Sequence, residues 1–179
     1  MSREKNIGIM NAYFQTLADA DYEAFANLFS EDILYNVSGT TEISGQWIGK
    51  EALFGYLNPY VFEHIDAENS NMSTKYKIMC ADDHRVVSIN EADGKSKKGN
   101  AYPQRYCVIL TIKDGLISEA HEFFDTALAE TALFGAKIQK NKNISKADKD
   151  FDFWKIILLI IYSTSFFFSR LILSLRLII

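Results

Sequence analysis

Ile7, Met10, Tyr13, Phe14 and Leu17 recur at intervals of three and four residues, the spacing that puts apolar side chains on one helix face. This predicts a helix over residues 4–18. Asp19-Ala20-Asp21 breaks the pattern, and Asp21 stands where it can cap a second helix. That helix carries Tyr22, Phe25, Ala26, Leu28 and Phe29, and Ser30-Glu31-Asp32 ends it. Residues 33–37 then read as a short strand. Residues 43–48, with Trp47, read as a loop. Residues 50–57 read as a short helix stopped at Asn58-Pro59.

From Met72 onward the period falls to two. Met72, Thr74, Tyr76, Ile78 and Cys80 alternate with polar neighbours, as along a half-buried strand. Strands follow at 85–92, 102–112 and 116–125. The last two are joined through Asp114-Gly115, a strong hairpin signal because Gly accepts positive φ. A short helix over 126–133 closes the pattern. Helices first and a run of antiparallel strands afterwards define an α+β domain. A strongly twisted sheet curling over the first helix leaves a cone-shaped apolar cavity, the concave shape that small-molecule sites use.

Three regions emerge: a globular domain over 1–135, a Lys-rich linker over 136–150, and an apolar tail over 151–179. The tail is long enough to cross a bilayer, which takes about 20 residues, although Arg170 and Arg176 interrupt it. It reads as a C-terminal membrane anchor, as a spurious or disordered extension with a narrow alphabet, or as a soluble packing helix. No secretory signal opens the chain, so a cytoplasmic location is expected, tethered if the tail anchors. The sequons at Asn36, Asn71 and Asn143 are then expected to carry no glycan.

Composition narrows the function. Net charge is -4, so nothing global favours nucleic acid. The two cysteines, Cys80 and Cys107, are too few for a disulfide framework and read as buried thiols. The three histidines lack ligand spacing, so no metal is expected. There is no Gly-x-Gly-x-x-Gly, phosphate loop or Gly-x-Ser-x-Gly elbow, and no cofactor is expected.

The candidate chemistry gathers on the last strand, Leu116 to Asp125. Strand side chains alternate, so His121, Phe123 and Asp125 share one face and Glu122 and Phe124 the other. Asp125, among aromatics, is the candidate acid/base, because an apolar cavity disfavours a charged carboxylate and brings the group toward useful proton transfer. Its other reading is an N-cap for the helix that begins at Thr126. His121 is a second pocket group or an ordinary sheet histidine. Trp47 and Tyr60 read as cavity lining, Phe54 and Tyr106 as core.

The order of these elements, with Ala20-Asp21-Tyr22-Glu23-Ala24-Phe25, Leu28-Phe29-Ser30-Glu31-Asp32, Gly49-Lys50-Glu51-Ala52-Leu53 and Glu122-Phe123-Phe124-Asp125-Thr126, resembles the SnoaL-like, ketosteroid isomerase-related branch of the nuclear transport factor 2-like superfamily. The resemblance covers about residues 5–134. It implies a curved, mixed or antiparallel sheet wrapped around the N-terminal helix as a cone-shaped α+β barrel. It places Tyr13 at the oxyanion-hole tyrosine of the steroid isomerases, and Val37 and Val108 where those enzymes carry acids, which speaks against their reaction. It places Asp125 at the acid/base of the cyclases. Tyr35 and Asn36 fall near water-positioning groups of related epoxide hydrolases, whose arginine-x-aspartate pair is not reproduced over 85–92. The implied protein is a cofactor-free isomerase, cyclase or dehydratase acting on a small apolar or aromatic molecule, or a non-catalytic binding or assembly domain. A homodimer is implied in either case.

Overall fold

Ser2 opens the first helix by accepting a hydrogen bond from the Lys5 amide at 3.4 Å. In the computed structural model, which describes residues 2–139, this helix, α1, spans Arg3–Ala18. Asp21 caps α2 (Tyr22–Asn27), its carboxylate accepting from the Ala24 amide at 3.0 Å. The linker beyond residue 139 and the tail over 151–179 lie outside the described residues. Among the described residues, no helix is long and apolar enough to cross a membrane.

The second helix is shorter than its pattern predicts, because Phe29 opens strand β1 (Phe29–Val37). The reason is tertiary: Phe29 pairs with Ile117, and the Ile117 amide donates to the Leu28 carbonyl at 2.8 Å. The expected loop around Trp47 is strand β2 (Gly45–Ile48), antiparallel to β1 with Tyr35 opposite Trp47. Gly45, at φ 131°, supplies a conformation that residues with a Cβ avoid. The turn Glu51–Leu57 has π-helical geometry and runs into α3 (Asn58–His64). Pro59 therefore does not stop a helix. It sits in the first turn of α3, where a missing N–H costs little.

Strands β3 (Asn71–Ala81), β4 (Arg85–Lys95), β5 (Ala101–Tyr102), β6 (Arg105–Lys113) and β7 (Leu116–Phe124) complete the sheet. The strand expected over 102–112 is split at Pro103-Gln104, since Pro cannot donate to a ladder. The buried Gln104 side chain replaces the missing pairing. Its Oε1 accepts from the amides of Arg105 at 2.9 Å and Asp125 at 3.1 Å, and its Nε2 donates to the Asp125 carbonyl at 2.9 Å. The last short helix, α4 (Thr126–Ala129), continues through the turn Glu130–Phe134 to Gly135.

The spatial order is β2-β1-β7-β6-β4-β3, with β5 on β4. The pairing of β1 with β7 is parallel and the other pairings are antiparallel. The sheet is thus mixed, curved and unclosed. Register shifts in the β1–β7, β3–β4 and β6–β7 pairs bend it, as bulges do. Helix α1 packs across β3 and β4. The Asn6 side chain donates to the Asp82 carbonyl at 2.9 Å, and Phe14 stacks on Tyr76 at 4.3 Å. The cysteines depart from expectation: Cys80 is exposed and Cys107 half-buried, both free. Both stand on the outer part of the sheet, away from the apolar core around Met10, Phe29 and Leu110.

Candidate functional site

Between α1, the concave sheet face and the helical segments over 51–64 lies a cavity of about 160 Å³, open on one side. A cavity of roughly 150 Å³ accommodates benzene, so the enclosed part is of one-ring size. Each wall follows from strand alternation. On β1, Tyr35 and Val37 point in; on β6, Tyr106 and Val108; on β4, Asn90; on β7, Glu122 and Phe124. Tyr13 enters from α1. Tyr22 of α2, 49% exposed, and Phe62 of α3 meet edge to face at 5.4 Å at the rim.

Polar groups are few in this apolar space, and three of them form a chain. The Tyr35 hydroxyl donates to the Glu122 carboxylate. Tyr35 also shares a hydrogen bond with Tyr13. A phenol carries one hydrogen. With that of Tyr35 committed to Glu122, the Tyr13 hydroxyl is the donor to Tyr35. The strand pairing builds this contact: Tyr35 lies beside Ala120 and Val37 beside Glu122 in the parallel β1–β7 ladder.

Burial pushes the Glu122 carboxyl above its ordinary value of 4.5, and the Tyr35 hydrogen bond opposes this only in part. The side chain keeps some contact with solvent, because the cavity is open. Burial first, and the nearby Glu122 charge second, push the phenols of Tyr13 and Tyr35 well above the usual range. Tyr106 is raised too, by burial first, then by Tyr102 and Glu122. The tyrosines therefore stay protonated at any physiological pH and act as donors. The arrangement can hold one polar oxygen and move one proton.

Of the residues that the sequence nominates, Tyr13 and Tyr35 meet in this cavity. The others stand elsewhere. Asp125 is exposed and N-caps α4, its carboxylate accepting from the Leu128 amide at 3.0 Å. His121 and Phe123 lie on the outer sheet face, with the His121 ring 3.1 Å from the Glu119 carboxylate and Phe123 43% exposed. Asn36 also faces outward, donating to the Ala120 carbonyl at 3.4 Å. Trp47 packs against the core, its indole donating to the Ile43 carbonyl at 3.0 Å. Tyr60 donates to the Glu42 carboxylate and stacks on Phe134 at 6.1 Å. None of these six lines the cavity. Asp125→Ala is thus expected to cost about 1 kcal/mol, the worth of an N-cap, and to leave ligand binding unchanged. Thermal melting beside a ligand titration checks both.

Glu122 and Asn90 also line the cavity, and the sequence reading nominated neither. The two faces of β7 each offer one Phe and one acid, so alternation by itself cannot rank them. The usable signal was Ala120. It is the apolar residue between Glu119 and His121, it is fully buried, and it shares its face with Glu122 and Phe124. Among the described residues, no group of three or more His, Cys, Asp or Glu side chains could hold a metal ion.

The family model described as the SnoaL-like domain matches residues 10–120. The match contains Tyr13, Tyr35 and Asn90 and ends just before Glu122. No protein with a curated description matches the chain by sequence. Solved structures share its fold. A nuclear transport factor 2-like protein from Burkholderia xenovorans is 20% identical with a TM-score of 0.62, over 74% of this chain and 98% of that one. A Bacillus subtilis protein named as a candidate isomerase is 20% identical with a TM-score of 0.63, over 76% and 97%. TerC, co-crystallised with polyporic acid, is 16% identical with a TM-score of 0.61, over 73% and 98%.

Proposed function

The chain belongs to the SnoaL-like domain family of the nuclear transport factor 2-like superfamily, and from that premise we propose that its cone takes up a small apolar or aromatic molecule and moves a proton on it without a cofactor. The observation that carries this reading is the Tyr13–Tyr35–Glu122 chain in an apolar cavity. A carboxyl group raised by burial is tuned toward general acid/base work.

The role that the resemblance gives to Asp125 passes to Glu122. As a carboxylate, Glu122 takes a proton from a carbon next to a carbonyl group, and the electron pair moves onto the carbonyl oxygen. Protonated Glu122 then becomes a donor to Tyr35. Reversal along the chain frees a phenol hydrogen for the enolate oxygen. Returning the proton to a different carbon completes an isomerisation. Attack of the enolate carbon on a second carbonyl of the same molecule would form the ring, with the proton held by Glu122 passing to the new alkoxide oxygen to complete a cyclisation. Val37 and Val108 are part of the apolar wall, which argues against the steroid isomerases' set of acids. TerC, with the same fold, was crystallised with polyporic acid, in keeping with a small-molecule pocket here.

One-ring aryl ketones test this. The expected result is a raised melting temperature and exchange of the hydrogens next to the carbonyl for deuterium in D2O. Binding without exchange would leave a non-catalytic pocket, and no stabilisation by any such compound would sink the reading.

A second reading, assembly, concerns the opposite face of the sheet. Phe123 and Ile89 are exposed there, and Cys107 pairs with both of them across the ladders. We propose that a second copy of the chain covers this strip. Phe123→Arg should then convert a dimer to a monomer in light scattering. An unchanged mass would count against this face.

A further inference from the structure

Asn90 stands on the inner face of β4 and lines the cavity. It is 5% exposed, and its Oδ1 has no hydrogen-bond partner. A buried amide oxygen left unpaired typically costs about 1–3 kcal/mol. Such a group is retained where something outside the chain pairs with it. The Glu122 chain does not: the Glu122 carboxylate is engaged by Tyr35, and Asn90 lies elsewhere on the sheet. Asn90 pairs with Tyr106 and Tyr106 with Phe124, whereas Glu122 pairs with Val108 and Val108 with Ser88. The two residues are therefore two strands and two positions apart, roughly 12 Å between backbones in a flat sheet. Both side chains line the same cavity, one toward each end of this span.

We propose that Asn90 is a specificity-determining residue: its amide receives a hydroxyl group of the ligand, so that the pocket takes one-ring hydroxylated molecules, phenols or enols, with the hydroxyl at Asn90 and the reacting end at Glu122. This rests on the pocket reading above. The walls next to Asn90 are aromatic and apolar, with Tyr106 opposite it on β6 and Met72 among the lining residues. They suit the ring and offer the hydroxyl no rival acceptor as good as the amide. A ligand without the hydroxyl would leave the amide dry and unpaired. A site built around a hydrogen bond rejects the analogue that lacks it more strongly than an apolar wall rejects an extra group.

Two probes of nearly equal shape, p-cresol and toluene, test the proposal on the full-length protein, with binding read from tryptophan fluorescence or amide chemical shifts. The wild type should prefer p-cresol by about tenfold, the worth of one good hydrogen bond. Asn90→Val should abolish that preference while still binding toluene. Asn90→Thr, with the same shape as the valine variant but a hydroxyl, should restore part of it, which guards against a misfolded variant. Glu122→Gln should leave the preference intact. Retention of the full preference in Asn90→Val would overturn the role of Asn90 and leave the pocket standing. A preference lost in Glu122→Gln would move the hydroxyl to the other end and overturn it as well. Failure of the wild type to bind either probe would overturn the pocket reading itself, and this inference with it.

Discussion

Glu122→Gln is expected to reduce turnover of a bound ketone by about 10²–10⁴-fold, the usual contribution of a positioned acid/base, while the protein becomes more stable at pH 8. Both effects have one cause. Burial raises the folded-state carboxyl above 4.5, and the Tyr35 bond offsets this only in part. The neutral acid is therefore the form that the fold favours. Stability from this group is complete below pH 4.5 and is lost as pH rises through the raised value. Gln carries no charge to desolvate and can still accept from Tyr35. The variant should melt higher than wild type at pH 8, and the gap should close below pH 4.5. Wild-type activity should rise with pH through the same interval, because the carboxylate is the base. Melting curves and rates across pH 4–9 check the prediction. Unchanged turnover would remove Glu122 from the chemistry, and a variant that melts lower at pH 8 would refute the raised carboxyl.

Much of the architecture was legible because periodicity reports it directly. The first helix, the four long strands and the Asp-Gly hairpin follow from spacing alone, and the Asp21 cap forms as its position predicts. What was illegible depended on partners distant in sequence. Phe29 leaves the helical pattern because Ile117 recruits it into the sheet. Trp47 becomes strand because β1 offers it an edge. The site suffered most, since a shift of one residue along a strand exchanges its two faces. The register shift between Thr111 and Ile112 on β6 puts Ile117 and then Ala120 on the same inner face. Counting back from Asp125 by twos selected His121 and Phe123, which are outside, because Asp125 is itself exposed as the cap of α4. Tyr13 and Tyr35 line the cavity because each sits on the apolar face of its element.

Phe29→Ala should be the most damaging single change to the fold, costing about 3–5 kcal/mol as large-to-small core substitutions of Phe do. The ring is fully buried. It touches Phe25 at 5.1 Å and Phe54 at 5.4 Å edge to face, with Tyr13 at 6.2 Å and Tyr35 at 6.5 Å. These neighbours come from α1, α2, β1 and the π-helical turn, so no one element can relax inward to fill the gap. For a domain of this size the loss corresponds to a fall in melting temperature of roughly 10–20 °C, a large share of the 5–15 kcal/mol that holds typical domains together. Phe29→Leu, which keeps most of the volume, should lose much less. Phe123→Ala, on the exposed face, should stay within about 0.5 kcal/mol in the monomer. The functional consequence is separable from the loss of stability. Phe29 buttresses both tyrosines of the Glu122 chain, so below its melting point Phe29→Ala should still lose p-cresol affinity, whereas Asp125→Ala, destabilised through its cap, should not. Equal affinity in the two variants would mean that the aromatic cluster supports the fold without positioning the site.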